Sequence, residues 1–156
     1  MFEHYPSPVI FAHRGDLTHA PENTLPSFQQ ALQKGADGVE LDAKLTVDGQ
    51  VIVIHDMTVD RTTNGKGRVA SFKLDDIRKL DAGTWFNEKF SGTKVPMLAE
   101  VFELVGKDKL INIELTNYAS PRDGLVLKVS ELIKRHNNQS QILFSSFFPS
   151  NLKIAA

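Results

Sequence analysis

With 156 residues, of which 41% are hydrophobic and 24% charged, the chain is long enough for one domain with its own core and has an ordinary globular composition. A net charge of −1 excludes bulk attraction to nucleic acid, and the absence of cysteine excludes disulfides, thiolate zinc sites and a cysteine nucleophile. The N-terminal stretch MFEHYPSPVIFAHRG has only a short apolar run, so we expect no signal peptide or membrane span and a cytoplasmic location.

The N-terminal part of the chain predicts a strand, a helix and a second strand. VIFAHRG is a short apolar run ending in polar residues, which is typical of a buried strand that opens onto a site. PENTLPSFQQALQKG predicts a helix with Asn23 as its N-cap, Pro26 in its first turn and Gly35 beyond its end. GVELDAKLT predicts the next strand, and this order of elements indicates a parallel α/β sheet.

A hairpin follows the second strand. Asp48-Gly49 lies between two alternating runs and predicts a two-residue turn. Pairing back from such a turn places Asp42 opposite His55, with Glu40 on the same face because strand side chains repeat every second residue. The hairpin therefore predicts three converging polar groups.

The rest of the chain divides into an irregular segment and alternating helices and strands. Residues 57–96 are turn-rich, with a short helix expected at LDDIRKLDAG, and we interpret them as an excursion from the sheet whose aromatic residues pack beneath a loop rather than cover a pocket. Beyond them, MLAEVFELVG predicts a helix, KLINIELT a strand, DGLVLKVSELIKRH a helix and QILFSSF a strand.

Three acidic residues lie in otherwise aliphatic strands. Glu40 and Asp42 point to the same side, where two like charges repel each other unless a cation lies between them. Glu114 adds a third carboxylate, and oxygen-only ligands favour Mg²⁺ or Ca²⁺ over zinc. The plainer alternative is a set of structural salt bridges to three basic residues: Lys44, Arg61 and Arg68.

The first strand ends in His13, Arg14 and Gly15. A guanidinium suits phosphate oxygens, and the glycine allows the backbone to approach a ligand closely. A lone histidine at a strand end is usually structural. Together with His55, however, it provides two imidazoles that can act as general acid and base beside a metal, which is a set of groups suited to phosphoryl transfer.

A series of short motifs runs along the chain: AHRG (12–15), ENT (22–24), GADGVELD (35–42), TVDG (46–49), VIHD (53–56), DRTTNGKG (60–67), DAGTWF (81–86), VPMLAEV (95–101) and NIEL (112–115). These motifs, in this order, closely resemble the glycerophosphodiester phosphodiesterases, with a fainter match at SSF (145–147). The resemblance implies a (β/α)8 barrel of the TIM type with its site at the C-terminal ends of the strands. It also implies hydrolysis of small glycerophosphodiesters to sn-glycerol 3-phosphate and an alcohol.

The resemblance further implies residue roles. His13 and His55 correspond to the catalytic acid and base, Arg14 to a phosphate ligand, and residues 57–96 to a small insertion near the site. The implied ligands of one divalent cation are Glu40, Asp42 and Glu114. A rival hypothesis is a non-catalytic module that binds a phosphodiester or lipid headgroup through the same metal site.

Two features depart from the family. The family usually has a lysine two residues after the strand glutamate, where this chain has Thr116, so one cation of the phosphate site is lost. A complete barrel of this kind takes about 250 residues. We therefore expect residues 1–156 to form a single, C-terminally truncated domain, an incomplete barrel. A naturally short chain would instead be expected to form a homo-oligomer that covers the open sheet edge.

Overall fold

The computed structural model describes residue 5, residues 7–118, residue 120 and residues 122–155. Within them a 5-stranded sheet has the order β1-β2-β4-β5, and β3 pairs with β2 outside that path. The strands are β1 (Phe11–His13), β2 (Gly38–Leu45), β3 (Val51–Val53), β4 (Leu110–Leu115) and β5 (Ile142–Ser145). The α-helices are α1 (Leu25–Gln33), α2 (Leu74–Ile77), α3 (Leu98–Val105), α4 (Leu125–His136) and α5 (Pro149–Ala155).

The strands β1, β2, β4 and β5 are parallel neighbours. In the β2–β4 register Asp42 lies beside Glu114, and in the β1–β2 register His13 lies beside Glu40. Because the carboxyl ends of parallel strands meet at one edge of the sheet, the polar strand ends are brought together there. This arrangement confirms the predicted α/β class with a parallel sheet.

Aliphatic side chains on one face of the central strands form the main core, with the helices packed against that face. Strand β2 is buried from Gly38 to Lys44, and α1, α3 and α4 contribute buried residues to the same cluster. Residues of this core include Phe28, Val39, Leu41, Leu98, Val101, Ile111, Ile113, Leu125 and Val129. Residues buried in strands are usually apolar, so the charged residues of β2 and β4 are exceptions that call for an explanation.

The N-cap of α1 differs from the prediction. Thr24 rather than Asn23 is the cap, with extended backbone and a side chain that accepts from Ser27 N. Asn23 instead has a φ of 54°, a left-handed conformation that asparagine tolerates better than most residues. Its side chain is therefore free to turn toward the sheet.

The β2–β3 hairpin has a three-residue loop, so the predicted pairing is wrong by one residue. Thr46 N donates to Gln50 O at 3.0 Å, and the glycine of the loop has a φ of 73°. A left-handed glycine allows this longer loop where a two-residue turn was expected. Asp42 consequently accepts at its carbonyl from Ile54 N, and His55 lies one residue beyond the position directly opposite.

Residues 57–96 pack around a second, smaller apolar cluster. Its buried members are Ile52, Ile54, Val59, Val69, Ile77, Ala82 and Val95. Trp85 and Phe90 both stack edge-to-face on Phe86, with ring centroids 5.8 Å apart in each pair, although Trp85 is 41% exposed and is therefore not buried beneath a loop. None of the helices in the described part of the chain has the length and apolarity that a membrane crossing requires.

Candidate active site

Three carboxylates from two neighbouring strands converge at the carboxyl edge of the sheet. One ligand atom each from Glu40, Asp42 and Glu114 lies within 4.8 Å of the others. Glu40 and Asp42 are buried, and Glu114 is half-buried. The alternation along β2 and the pairing of Asp42 with Glu114 place all three on one face. The structure thus brings together the three acids that the sequence singled out.

Ionisation of the buried carboxyl groups in this cluster is unfavourable. Burial, followed by repulsion from Asp42, raises the pKa of Glu40 to about 7. Burial also raises the pKa of Asp42, although a hydrogen bond from Asn23 and the nearby His55 act in the opposite direction. Among the described residues, Asp42 Oδ1 is buried without a hydrogen-bond partner. A buried, unpaired oxygen beside two further carboxylates fits a hard divalent cation, which would satisfy all of them.

Arg14 contacts both acids of β2. Its backbone N–H donates to the carbonyl oxygen of Glu40 at 3.0 Å and to Glu40 Oε2 at 3.1 Å. Its Nε lies 3.3 Å from Asp42 Oδ2, as an ion pair without hydrogen-bond alignment, and its Nη1 donates to Glu22 Oε1 at 3.3 Å. Arg14 has a φ of 56°, so a strained backbone directs this side chain.

His13 lies at the rim of the same cluster. Its Nε2 is 3.9 Å from Glu40 Oε2, and its side chain is 62% exposed. A histidine with one carboxylate neighbour and an open side can contact both the acid cluster and a bound ligand. The structure therefore places this predicted residue beside the acids.

Gly15 packs closely against helix α1, a contact that the sequence did not indicate. It has a φ of 88°, and a Cβ added to it would lie 1.9 Å from Ser27 Oγ. The Ser27 hydroxyl also donates to the carbonyl oxygen of Arg14 at 2.9 Å. Gly15 therefore allows the residues that follow β1 to pack closely against α1.

His55 is oriented by a carboxylate. Its Nδ1 lies 2.7 Å from Asp56 Oδ1, an arrangement that favours the proton on Nδ1 and leaves Nε2 for a ligand. Arg61 donates to Asp56 through Nε at 2.7 Å and to Glu22 through both terminal nitrogens at 2.8 Å. Its hydrogen bond lowers the pKa of Asp56. Arg61 thereby connects Glu22, which precedes α1, with Asp56, which follows β3.

The structural alternative for the three acids does not hold. Arg61 pairs with Glu22 and Asp56, and the Lys44 ammonium donates to Thr116. In the part of the chain that the structure describes, the site acids form no salt bridge with any of the three basic residues proposed for them, Lys44, Arg61 and Arg68. The acids are therefore not explained by structural ion pairs with these residues.

Two contacts to the acids were missed by sequence reasoning. Asn23 Nδ2 donates to Asp42 Oδ2 at 2.8 Å, and the Tyr118 hydroxyl donates to Glu114 Oε1. Burial, followed by this hydrogen bond, raises the pKa of Tyr118. The motif ENT was a signal for Asn23, but an asparagine at a helix start has the simpler interpretation of a cap. Tyr118 carried no signal.

Residues 13–156 match the model of the Glycerophosphoryl diester phosphodiesterase family. The chain belongs to this family. The glycerophosphodiester phosphodiesterase of Caldanaerobacter subterraneus subsp. tengcongensis is 51% identical over 140 residues, which are 89% of this chain and 58% of that protein. That of Bacillus subtilis is 40% identical over 157 residues, 92% of this chain and 54% of that protein. The chain thus spans little more than half the length of these family members.

Solved structures of related phosphodiesterases share the fold. A glycerophosphodiester phosphodiesterase from Agrobacterium tumefaciens has a TM-score of 0.84 and 36% identity over 94% of this chain and 61% of that one. An Oleispira antarctica phosphodiesterase, in complex with its product sn-glycerol-3-phosphate, has a TM-score of 0.89 and 35% identity over 95% and 61%. The family's fold is the TIM barrel, so the sheet described here is part of such a barrel, as the sequence predicted.

Proposed function

We propose that this chain carries the active site of a metal-dependent phosphodiesterase that hydrolyses glycerophosphodiesters to sn-glycerol 3-phosphate and an alcohol. The observation that carries the proposal is the convergence of Glu40, Asp42 and Glu114 within 4.8 Å, with Arg14 and His13 in contact with the same acids. Membership of the family and the product bound to the Oleispira antarctica enzyme support this substrate class.

The three acids would hold one divalent cation, Mg²⁺ or Ca²⁺, which when bound would neutralise charge on the phosphate oxygens. Arg14 supplies a second positive group for the phosphate. Because Glu22 and Asp42 both contact its guanidinium, the side chain is held in place before a ligand arrives. Positioning and charge neutralisation carry most of the catalysis in phosphoryl transfer.

The two imidazoles handle the protons. One accepts a proton from the attacking water as its oxygen bonds to phosphorus, and the other donates a proton to the leaving alcohol oxygen as its bond to phosphorus breaks. Asp56 orients His55 for this step through the 2.7 Å contact with Nδ1. His13, at 3.9 Å from Glu40, approaches from β1. We also propose that residues 1–156 belong to a single barrel domain and that residues 57–96 are an insertion within it, beside the site.

The test is metal-dependent release of sn-glycerol 3-phosphate from glycerophosphocholine. His13→Ala and His55→Ala should each lower the rate by about 10²- to 10⁴-fold while the affinity for Mg²⁺ or Ca²⁺ stays close to that of the unaltered chain. His136→Ala is the matched control, because this histidine, at the end of α4, packs against Phe102 of α3. Full activity in either test variant would refute the acid–base assignment.

A binding module without turnover is the second candidate. Thr116 favours it, because the resemblance implies a lysine at this position and its loss weakens neutralisation of the phosphate. Such a module would gain thermal stability from the divalent cation and bind sn-glycerol 3-phosphate, yet release none from glycerophosphocholine. Turnover that depends on both histidines would exclude it.

A further inference from the structure

Lys44 is a buried cation without a carboxylate partner in the described part of the chain. This residue lies on β2 and is only 7% exposed. Its ammonium donates two hydrogen bonds, to the carbonyl oxygen of Thr116 at 2.7 Å and to Thr116 Oγ1 at 2.9 Å. Nearby carboxylates such as Asp42 and Glu114 favour its charge but form no salt bridge with it in the described residues. Its direct partners are neutral oxygens, so burial of the ammonium is costly and this position needs an explanation.

The ammonium is held so that one donor remains for a ligand. The Thr116 hydroxyl donates to the carbonyl oxygen of Ala43 at 2.8 Å, so its hydrogen is already used and its lone pairs accept from Lys44. A lysine ammonium has three N–H donors, and Thr116 takes two of them. Thr116 thus orients the ammonium without neutralising it.

The position of Lys44 follows from the sheet register. Asp42 lies beside Glu114 on neighbouring parallel strands, and two residues further along the same face Lys44 lies beside Thr116. The ammonium therefore comes directly after the acid cluster. It lines a cavity of about 190 Å³ between the sheet edge and residues 68–70, whose lining also includes Arg68 and Asp123. This volume is much larger than the roughly 15 Å³ of such space that one water needs.

We propose that Lys44 binds an anionic oxygen of the substrate's phosphate, on the Thr116 side of the site. This assignment rests on the proposed function, because it takes the ligand to be a phosphate ester. Arg14 and a cation held by the three acids would contact the phosphate from the side of the acids, and Lys44 would provide a third positive group from the cavity. A buried cation with a remaining donor is suited to a group that carries negative charge on several oxygens.

The probe is sn-glycerol 3-phosphate, titrated by calorimetry into the chain in the presence of Mg²⁺. Lys44→Met should weaken its binding about 10- to 100-fold, which is the effect of losing one charge-assisted hydrogen bond. The affinity for Mg²⁺ without phosphate should stay equal or become tighter, because a positive charge near three acids is removed. Lys109→Met is the matched control, since Lys109 Nζ donates to the carbonyl oxygen of Ala36 at 2.8 Å at the other end of the sheet, and it should change neither affinity.

A double exchange separates a binding role from a structural one. Lys44→Thr combined with Thr116→Lys moves the ammonium to the neighbouring strand on the same face, and it should recover most of the sn-glycerol 3-phosphate affinity that Lys44→Thr loses alone. The proposal would be overturned by unchanged binding in Lys44→Met, by parallel loss of Mg²⁺ and phosphate binding, or by a folded double variant without recovery.

Turnover of glycerophosphocholine, measured alongside, separates this inference from the proposed function. Binding of sn-glycerol 3-phosphate that depends on Lys44, in a chain that releases no product, would refute the hydrolase and support the Lys44 assignment. Normal turnover together with unchanged binding in Lys44→Met would refute the assignment and leave the hydrolase standing.

Discussion

Arg14 and Asp42 meet across the carboxyl ends of β1 and β2, where the guanidinium Nε lies 3.3 Å from Asp42 Oδ2. The backbone N–H of the same arginine donates to Glu40, so one residue contacts both acids of β2. It does so with a φ of 56°, a conformation that costs a residue other than glycine about 1 kcal/mol. Arg14, the proposed phosphate ligand, is therefore in direct contact with Glu40 and Asp42, two of the proposed metal ligands.

Arg14→Lys should weaken binding of sn-glycerol 3-phosphate about tenfold or more. A lysine lacks the planar set of donors that lets one side chain contact Glu22, Asp42 and a phosphate together. Calorimetry with Mg²⁺ present measures the change. Arg78→Lys is the control, because Arg78 binds the Glu100 carboxylate with two nitrogens at 2.7 Å. Equal losses in the two variants would contradict a specific role for Arg14.

Asn23→Gly should weaken the affinity for Mg²⁺ or Ca²⁺ about tenfold. Asn23 Nδ2 donates to Asp42 Oδ2 at 2.8 Å and so orients this proposed metal ligand, and loss of a residue that orients a metal ligand commonly weakens metal affinity by about this factor. Glycine keeps the φ of 54° without strain, so this variant isolates the hydrogen bond. Asn23→Ala should show the same loss of metal affinity and, in addition, about 1 kcal/mol of lost stability. Metal titration and urea denaturation measure the two effects, and unchanged metal affinity in Asn23→Gly would refute the orienting role.

The metal-free chain should lose stability as the pH rises from 5 to 8. The pKa of Glu40 is about 7 in the folded state against a usual value near 4.5, so the folded state binds the proton more tightly and its advantage disappears as Glu40 ionises. The loss in the free energy of unfolding over this pH range is about 2 kcal/mol. Urea denaturation in EDTA measures it, and Mg²⁺ should stabilise the chain more at pH 8 than at pH 5. Glu40→Gln should flatten the pH dependence; an equally steep profile would contradict this cause.

Gly15→Ala should destabilise the chain by about 3 kcal/mol or more, because the new Cβ would collide with Ser27 and the residue has a φ of 88°. Gly49→Ala is the matched control: its φ is 73°, but its Cβ would meet nothing within 4 Å, so only the backbone cost of about 1 kcal/mol is expected. Thermal or urea denaturation compares the two. Similar losses at both positions would show that packing against α1 is unimportant.

Asp56→Asn should lower kcat for glycerophosphocholine about tenfold or more with little change in Mg²⁺ affinity. The amide no longer stabilises a positive charge on His55, whose Nδ1 lies 2.7 Å from Asp56 Oδ1. Asp60→Asn serves as the control, because Asp60 is a nearby loop carboxylate that accepts from Gly67 N at 2.9 Å. A loss of metal affinity that parallels the loss of kcat would contradict an action through His55.

Local features of the sequence were sufficient for the sheet, for helices α1 to α4 and for the direction of the acids, whereas α5 was not predicted. Glu40 and Asp42 share a face because strand side chains alternate, which holds wherever the strand lies. The hairpin register was missed by one residue, because Asp48-Gly49 is compatible with loops of two or three residues. Contacts of Asp48 with the Thr46 hydroxyl at 2.6 Å and with Leu74 N at 3.1 Å accompany the longer loop, and the second of these is not local.

Sequence alone determined which residue types are available, and the tertiary structure decided which of them meet. Asn23 could cap a helix or bind Asp42, and the fold selects Asp42, 19 residues away. Thr116 alone indicated a lost cation, whereas the β2–β4 register places the ammonium of Lys44 against it from 72 residues away. A polar side chain can satisfy its hydrogen bonds with many partners, and only the parallel register of neighbouring strands selects among them.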